Sequence, residues 1–207
     1  MFPLPEFISS GQEFGAQLYD YFKDGGLIMY PLLLVAVYMW TLIFERIFAF
    51  HRLEFRDIEM TDLLQGYRDG RSFPFKTGLR AQIGYFLCRH QTEDRFLNRR
   101  LLDQCCMQLR PGINRNIMLI AVLAMVSPLL GLLGTVTGMI TTFDVIALFG
   151  TGNARALAGG ISEALITTQS GLLVSIPGVF SSAVLTLRAR RLQLRLDESM
   201  TTLKRIV

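Results

Sequence analysis

Glu163 is the residue of this sequence best placed to do chemistry, because it is the single charged side chain in residues 156–187. The length and apolar composition of that run predict a membrane-spanning helix. An ionised carboxylate inside such a helix costs several kcal/mol unless it faces water, meets a partner or takes up a proton. We therefore interpret Glu163 as an ion-handling residue. The alternative is a glutamate solvated at the bilayer surface, because it follows Arg155 by only eight residues.

Hydroxyl side chains accompany Glu163 on the same predicted helix. Thr167 and Ser170 follow one and two turns later, so they share its helical face. Thr168 lies about 140° away around an ideal helix, on a second polar line. The preceding apolar run contributes further hydroxyls, among them Thr135. The candidates for other polar groups that face a pore are Thr142, Thr167 and Ser170.

Glycines are dense in both apolar runs. Gly134 and Gly138 form a G-x-x-x-G pair, a pattern that lets membrane helices approach to backbone contact. The predicted helix-packing positions are Gly131, Gly134, Gly138, Gly159, Gly160 and Gly171. Taken alone, these glycines favour plain helix packing without an ion path. Their combination with the hydroxyls and Glu163 favours an ion path.

The composition indicates which elements must position these residues. Hydrophobic residues make up 51% of the chain and charged residues 18%, against about 25% charged in a typical soluble domain. The charges concentrate in 45–115 and 188–205 instead of alternating with apolar residues. This segregation predicts an all-α membrane protein, with three transmembrane helices and long cytoplasmic helical extensions.

Seven segments make up the predicted organisation. They are a short amphipathic external segment (1–26), the first transmembrane helix (27–45), a cytoplasmic helical region (46–115), the second transmembrane helix (116–143), an external hinge (144–155), the third transmembrane helix (156–187) and a cytoplasmic C-terminal helix (188–207). The orientation follows from the positive-inside rule, because basic residues concentrate after the first and third apolar runs and before the second. The N-terminus and the hinge are then outside, and the C-terminus is in the cytoplasm.

Several classes of function are disfavoured by the remaining residues. The net charge of +4 does not indicate nucleic-acid binding, because the basic residues flank hydrophobic segments. His51 and His90 are far apart, and no nucleophile–base or metal-ligand spacing appears, so we expect neither an enzyme nor a metal site. A secondary transporter is also disfavoured, because such proteins usually contain internal repeats and this sequence has no visible repeat. The three cysteines have no Cys-x-x-Cys spacing and are expected to be reduced, half-buried thiols, namely Cys88, Cys105 and Cys106.

Two motifs carry a resemblance to a known family. Residues 128–140 read PLLGLLGTVTGMI and residues 157–168 read LAGGISEALITT, followed by Gly171-Leu172 and Ile176-Pro177. Over 125–188 the chain resembles the MotA/TolQ/ExbB proton-channel family, and it looks most similar to the ExbB branch.

The resemblance implies a subunit of a proton-driven motor in the bacterial inner membrane. ExbB-like proteins form homopentamers that surround the single-span helices of an ExbD-like partner and pass work to a TonB-like protein for outer-membrane import. Glu163 matches the family's intramembrane glutamate, and Thr135 and Thr168 match its pore-facing threonines. Protons are then the coupling ion, no cofactor is needed, and membrane lipids surround the assembly. A TolQ-like subunit for envelope maintenance and a passive assembly scaffold are the alternatives.

Overall fold

The computed structural model describes residues 19, 21–55, 57–68, 78–90 and 95–206. They form helices and short connections, and none of these residues lies in a β-strand. The all-α prediction is therefore confirmed. The elements are α1 (Met29–Phe55), α2 (Met60–Arg68), α3 (Leu79–His90), α4 (Arg95–Asn114), α5 (Ile117–Phe149), a 3-10 turn (Gly150–Gly152) and α6 (Ala154–Ile206).

Three helical stretches are long and apolar enough to cross a membrane, as predicted. They are Met29–Glu54, Phe96–Gly152 and Ala154–Arg205. The second stretch contains both α4 and α5, and Asn116 between them has a left-handed backbone with φ 62°. The apolar part of this stretch is α5, because α4 carries most of the charged residues.

The helices extend beyond the apolar runs that predicted them. Helix α5 continues to Phe149, so the connection to α6 comprises only residues 150–153 instead of the whole predicted hinge. No glycine or proline occurs between Asp144 and Phe149 to end the helix. Helix α6 runs for 53 residues through the predicted transmembrane and C-terminal segments without a break. Most of the predicted amphipathic segment 1–26 lies outside the described residues, which include a helical turn at 21–24.

The chain divides into two compact units, which are described separately. Unit 1 comprises Met1–Trp40 and Ala121–Phe180. Its helices α5 and α6 meet at small residues: Ser175 Oγ donates a hydrogen bond to the Ala124 carbonyl at 2.8 Å. A Cβ added to Gly171 would lie 2.8 Å from the Ser127 carbonyl oxygen, so the two backbones are nearly in contact there.

Unit 2 comprises Thr41–Ile120 and Ser181–Val207. Its core consists of large apolar side chains, and the fully buried ones include Phe50, Leu63, Leu87, Leu102, Leu192 and Leu196. Two ion pairs link α4 to α6 on the surface of this unit, Arg110–Asp197 and Lys204–Asp103. From Asp103 to Arg110 the residue numbers increase along α4, while those of their partners on α6 decrease from Lys204 to Asp197. The two helices therefore run antiparallel within the unit.

A buried arginine joins α1 to α4 in unit 2. The Arg46 side chain is 5% exposed, and its Nη1 donates to the Gly112 carbonyl at 3.0 Å, near the end of α4. The neighbouring Glu45 accepts a hydrogen bond from Asn116 Nδ2 at 3.1 Å. A guanidinium is well suited to this position, because the last carbonyls of a helix lack partners within the helix.

The cysteines of α4 differ in exposure. Cys105 is buried and Cys106 is half-buried, and both are free thiols. Burial, followed by the neighbouring Cys106, raises the pKa of the Cys105 thiol to about 11. The prediction of half-buried thiols is thus correct for Cys106 and wrong for Cys105, because Cys105 lies on the apolar face of α4. The Cys88 side chain lies outside the described residues.

Candidate functional site

Glu163 lies on α6 in unit 1, with a half-buried side chain. Its carboxyl group is directed against a backbone turn that precedes α1. A Cβ built on Gly26 would overlap Glu163 Oε1 and would lie 2.6 Å from Glu163 Cδ. The carboxyl therefore occupies the space that any other residue at position 26 would fill.

Glycine is required in this turn because of its backbone conformation as well as its size. Gly26 has φ +66°, in the left-handed region that favours glycine. The Gly25 amide donates to the Tyr21 carbonyl at 3.1 Å, which closes the helical turn at 21–24. The Met29 amide donates to the Gly26 carbonyl at 3.3 Å, where α1 begins. The pair Gly25-Gly26 thus connects the helical turn at 21–24 to α1.

Tyr21, in the helical turn that directly precedes Gly25-Gly26, makes a second contact with α6. Its hydroxyl lies 3.1 Å from Ser170 Oγ, within hydrogen-bond distance. Ser170 also donates to the Ile166 carbonyl at 2.8 Å, so its oxygen is free to accept the proton of Tyr21. Ser170 is a predicted polar position, whereas Tyr21 was not singled out from the sequence.

The predicted hydroxyls on α6 bond mainly to their own helix. Thr167 Oγ1 lies 3.0 Å from the carbonyls of both Glu163 and Ala164, and its side chain is buried. Thr168 Oγ1 donates to the Ala164 carbonyl at 2.9 Å and is half-buried. Bonds of this kind satisfy a hydroxyl inside a membrane without a partner on another helix.

The hydroxyls on α5 behave in the same way. Thr135 is half-buried and donates to the Leu132 carbonyl at 2.7 Å. Thr142 is buried and donates to the Gly138 carbonyl at 2.9 Å. A Cβ on Gly160 would overlap Thr142 Oγ1, so this threonine lies at the contact between α5 and α6.

Most of the predicted glycines lie where α5 and α6 approach each other. A Cβ on Gly131 would be 3.0 Å from the Thr167 carbonyl, and a Cβ on Gly134 would overlap the Thr167 side chain. A Cβ on Gly138 would be 2.8 Å from the Gly160 carbonyl. Gly171 makes the same kind of contact, whereas Gly159 faces open space. We call this contact, formed by Ser127, Gly131, Gly134, Gly138, Thr142, Gly160, Thr167, Gly171 and Ser175, the glycine seam.

The structure thus divides the predicted site residues into three groups. Glu163 and Ser170 face the Gly25-Gly26 turn and Tyr21, and Thr167, on the same side of α6, is directed into the glycine seam. Thr135 and Thr168 remain half-buried. Gly25 and Gly26 were not among the glycines predicted from the sequence to be important. The available signal was two successive glycines directly before an apolar run.

Comparison with known proteins identifies the family to which this chain belongs. Residues 71–198 match the family described as the MotA/TolQ/ExbB proton channel family. The chain is 33% identical over 188 residues to the biopolymer transport protein ExbB-like 1 of Synechocystis sp., covering 85% of this chain and 72% of that protein. It is 34% identical over 119 residues to the biopolymer transport protein exbB1 of Vibrio cholerae, covering 57% of this chain and 52% of that one.

A third relative is matched over a shorter region. The chain is 36% identical over 104 residues to the biopolymer transport protein ExbB of Xanthomonas campestris, covering 50% of this chain and 39% of that protein. The matched regions therefore span about half or less of the Vibrio and Xanthomonas proteins. The family match contains Glu163 and the whole glycine seam, whereas Tyr21, Gly25 and Gly26 precede it.

Proposed function

The chain belongs to the MotA/TolQ/ExbB proton channel family, and from that premise we propose that it is an ExbB-like subunit of a proton-driven motor in the bacterial inner membrane. The motor would use the proton motive force, together with an ExbD-like single-span partner, to energise a TonB-like protein and outer-membrane import. Named relatives of the ExbB branch support this choice over a TolQ-like subunit for envelope maintenance.

Glu163 is the observation that carries the proposal. It is the single ionisable group in residues 156–187 of α6, and its side chain is half-buried inside unit 1. A carboxyl group at such a position can be ionised when it is hydrated and neutral when it is not. Alternation between these two states would let it accept a proton from one side of the membrane and release it to the other.

The energy available for this step is sufficient for mechanical work. Each elementary charge that crosses 100 mV releases about 2.3 kcal/mol. One carboxyl on one chain cannot form a continuous path, so the proposal requires further walls. A homopentamer of this chain, with α5 and α6 around a central space, would supply them, and an ExbD-like helix would occupy that space.

We assign supporting roles to the hydroxyls outside the glycine seam. Thr135 and Thr168 are half-buried and are the proposed polar lining of the proton path next to Glu163. Thr142 and Thr167 lie in the seam, where a packing role fits their burial better. The arginine-rich ends of the apolar helices support a periplasmic N-terminus and a cytoplasmic C-terminus.

Substitution of Glu163 tests the proposal. Cells that carry Glu163→Gln should lose energy-dependent uptake through an outer-membrane receptor, because glutamine has a similar size but cannot release a proton. Asp144→Asn is the matched control, since Asp144 is an exposed carboxylate in the last two turns of α5 in the same unit. This variant should keep normal uptake.

Protein level and assembly are measured in parallel by quantitative immunoblotting and native electrophoresis. Loss of uptake in Glu163→Gln with normal assembly supports the motor. Normal uptake in Glu163→Gln would contradict it and would favour a passive scaffold. Normal uptake combined with detergent sensitivity of the envelope would instead assign the chain to the TolQ-like alternative.

A further inference from the structure

We propose that the Gly25-Gly26 turn is a wall of the Glu163 site, and that Gly26 and Tyr21 are positioning residues for the Glu163 carboxyl. The missing side chain of Gly26 provides the space that the carboxyl occupies, and Tyr21 attaches the turn to α6. The inference deepens the proposed function and rests on it for its mechanistic meaning. The turn precedes the residues matched by the family.

The first step of the argument is the fit between Gly26 and Glu163. A Cβ on Gly26 would overlap Oε1 of Glu163, lie 2.6 Å from its Cδ and lie 3.2 Å from its Cγ. Three consecutive atoms of the glutamate side chain therefore run along the backbone of the turn. Even one methyl group at position 26 would displace the carboxyl.

The second step is that Tyr21, Gly25 and Gly26 all contact the same face of α6. Tyr21 contacts Ser170, a Cβ on Gly25 would lie 3.1 Å from Ile166 Cγ2, and Gly26 contacts Glu163. Positions 163, 166 and 170 are spaced three and four residues apart, so they form one face of a helix. Contacts at three successive levels of that face hold the turn in register with Glu163.

The third step concerns access to the carboxyl. The turn covers one side of a half-buried group, so its position determines how much of the carboxyl meets water or a reagent. Among the described residues, the hydrogen bond between Tyr21 and Ser170 is the polar contact that holds the Gly25-Gly26 turn and the helical turn before it against α6. Loss of this bond should loosen the cover without removing any part of the carboxyl itself.

The experiment measures how fast a hydrophobic carbodiimide modifies Glu163 in membranes that contain the full-length chain. Mass spectrometry of the peptide carrying Glu163 gives the rate at several pH values. Gly26→Ala should raise the rate about threefold or more, because the added methyl group forces the carboxyl out from under the turn. Gly150→Ala is the matched control.

Gly150 separates the effect of space from the effect of backbone strain. Its φ of +69° is close to that of Gly26, and a Cβ at Gly150 would meet nothing within 4 Å. Alanine at either position adopts a left-handed backbone at a similar cost. The rate for Gly150→Ala should therefore equal that of the original protein, and an equal rise in both variants would overturn the proposal.

Tyr21→Phe provides a second variant that keeps the size of the side chain. It should raise the rate less than Gly26→Ala does, and Ser170→Ala should match it. The double variant Tyr21→Phe/Ser170→Ala should equal either single variant, because both remove the same hydrogen bond. Unchanged rates in all these variants would contradict the positioning role of Tyr21. The Tyr21 and Ser170 variants therefore test the proposal even if Gly26→Ala does not accumulate.

Uptake measured in the same strains separates this inference from the proposed function. If Glu163→Gln retains uptake while Gly26→Ala raises the carbodiimide rate, the turn positions Glu163 but the motor proposal fails. If Glu163→Gln loses uptake while the rate is unchanged in Gly26→Ala, the motor proposal holds and the positioning role is wrong.

Discussion

The contact between α5 and α6 in unit 1 and the core of unit 2 are packed by different kinds of side chain. In unit 1, the contact between α5 and α6 is made by glycine, serine and threonine, including Gly131, Gly171 and Ser175. In unit 2, the interior contains large apolar residues such as Phe50 and Leu196, both 0% exposed. The same chain therefore builds one region from close backbone approach and another from bulky cores.

The difference reflects the solvent around each unit. Lipid tails are as apolar as leucine, so burying leucine gives little advantage inside a membrane, and helices associate through close packing of small residues. In water, burial of apolar surface contributes roughly 25 cal/mol per Å². Unit 2 contains the charged segments of the chain, which indicates contact with water. Burial of its large apolar side chains therefore contributes to its stability. Three substitutions can break or sharpen the comparison.

The largest effect is expected in the core of unit 2. Leu196→Ala should destabilise the protein by about 2–5 kcal/mol, because it removes buried methyl groups and leaves a cavity. The control is Leu194→Ala on the same helix, where the side chain is 68% exposed. Thermal unfolding of the detergent-purified chain, followed by circular dichroism, should show a lower midpoint only for Leu196→Ala. Equal midpoints would mean that unit 2 does not depend on its bulky core.

A smaller effect is expected in the glycine seam. Gly171→Ala places a Cβ 2.8 Å from the Ser127 carbonyl, so the helices must move apart. The cost should be about 1–3 kcal/mol, typical of overpacking. Gly159→Ala is the matched control on the same helix, where a Cβ meets nothing within 4 Å. The same unfolding assay should show a lower midpoint for Gly171→Ala and an unchanged or higher one for Gly159→Ala.

The smallest effect is expected for the ion pair Lys204–Asp103 on unit 2. Both side chains are exposed, at 39% and 56%, so water screens their interaction. A double-mutant cycle with Lys204→Ala and Asp103→Ala should give a coupling energy of about 0.5 kcal/mol or less. The coupling should vanish in about 1 M salt, where the screening length is near 3 Å. A large coupling that persists in salt would show that charge, as well as apolar burial, organises this unit.

The candidate site shows how far sequence patterns reach. Helical periodicity predicted that Glu163, Thr167 and Ser170 share one side of α6, and the small-residue motifs indicated where helices approach closely. Periodicity did not reveal that Thr167 enters the glycine seam while Ser170 meets Tyr21. Ser170 and Tyr21 are 149 residues apart in sequence, and no local pattern links them. Gly159 shows the converse, because its motif predicted packing but its position faces open space.

The sequence by itself determined that this protein has three apolar helices, a charged helical region and one isolated carboxyl group in the last apolar run. These properties are local, because the transfer of a segment into a membrane depends on its own composition. Only the tertiary structure decided which glycines face another helix, which hydroxyls are enclosed, and that Gly26 adjoins Glu163. Those contacts depend on the rotation of each helix about its axis, which is set by many weak interactions between residues distant in the chain.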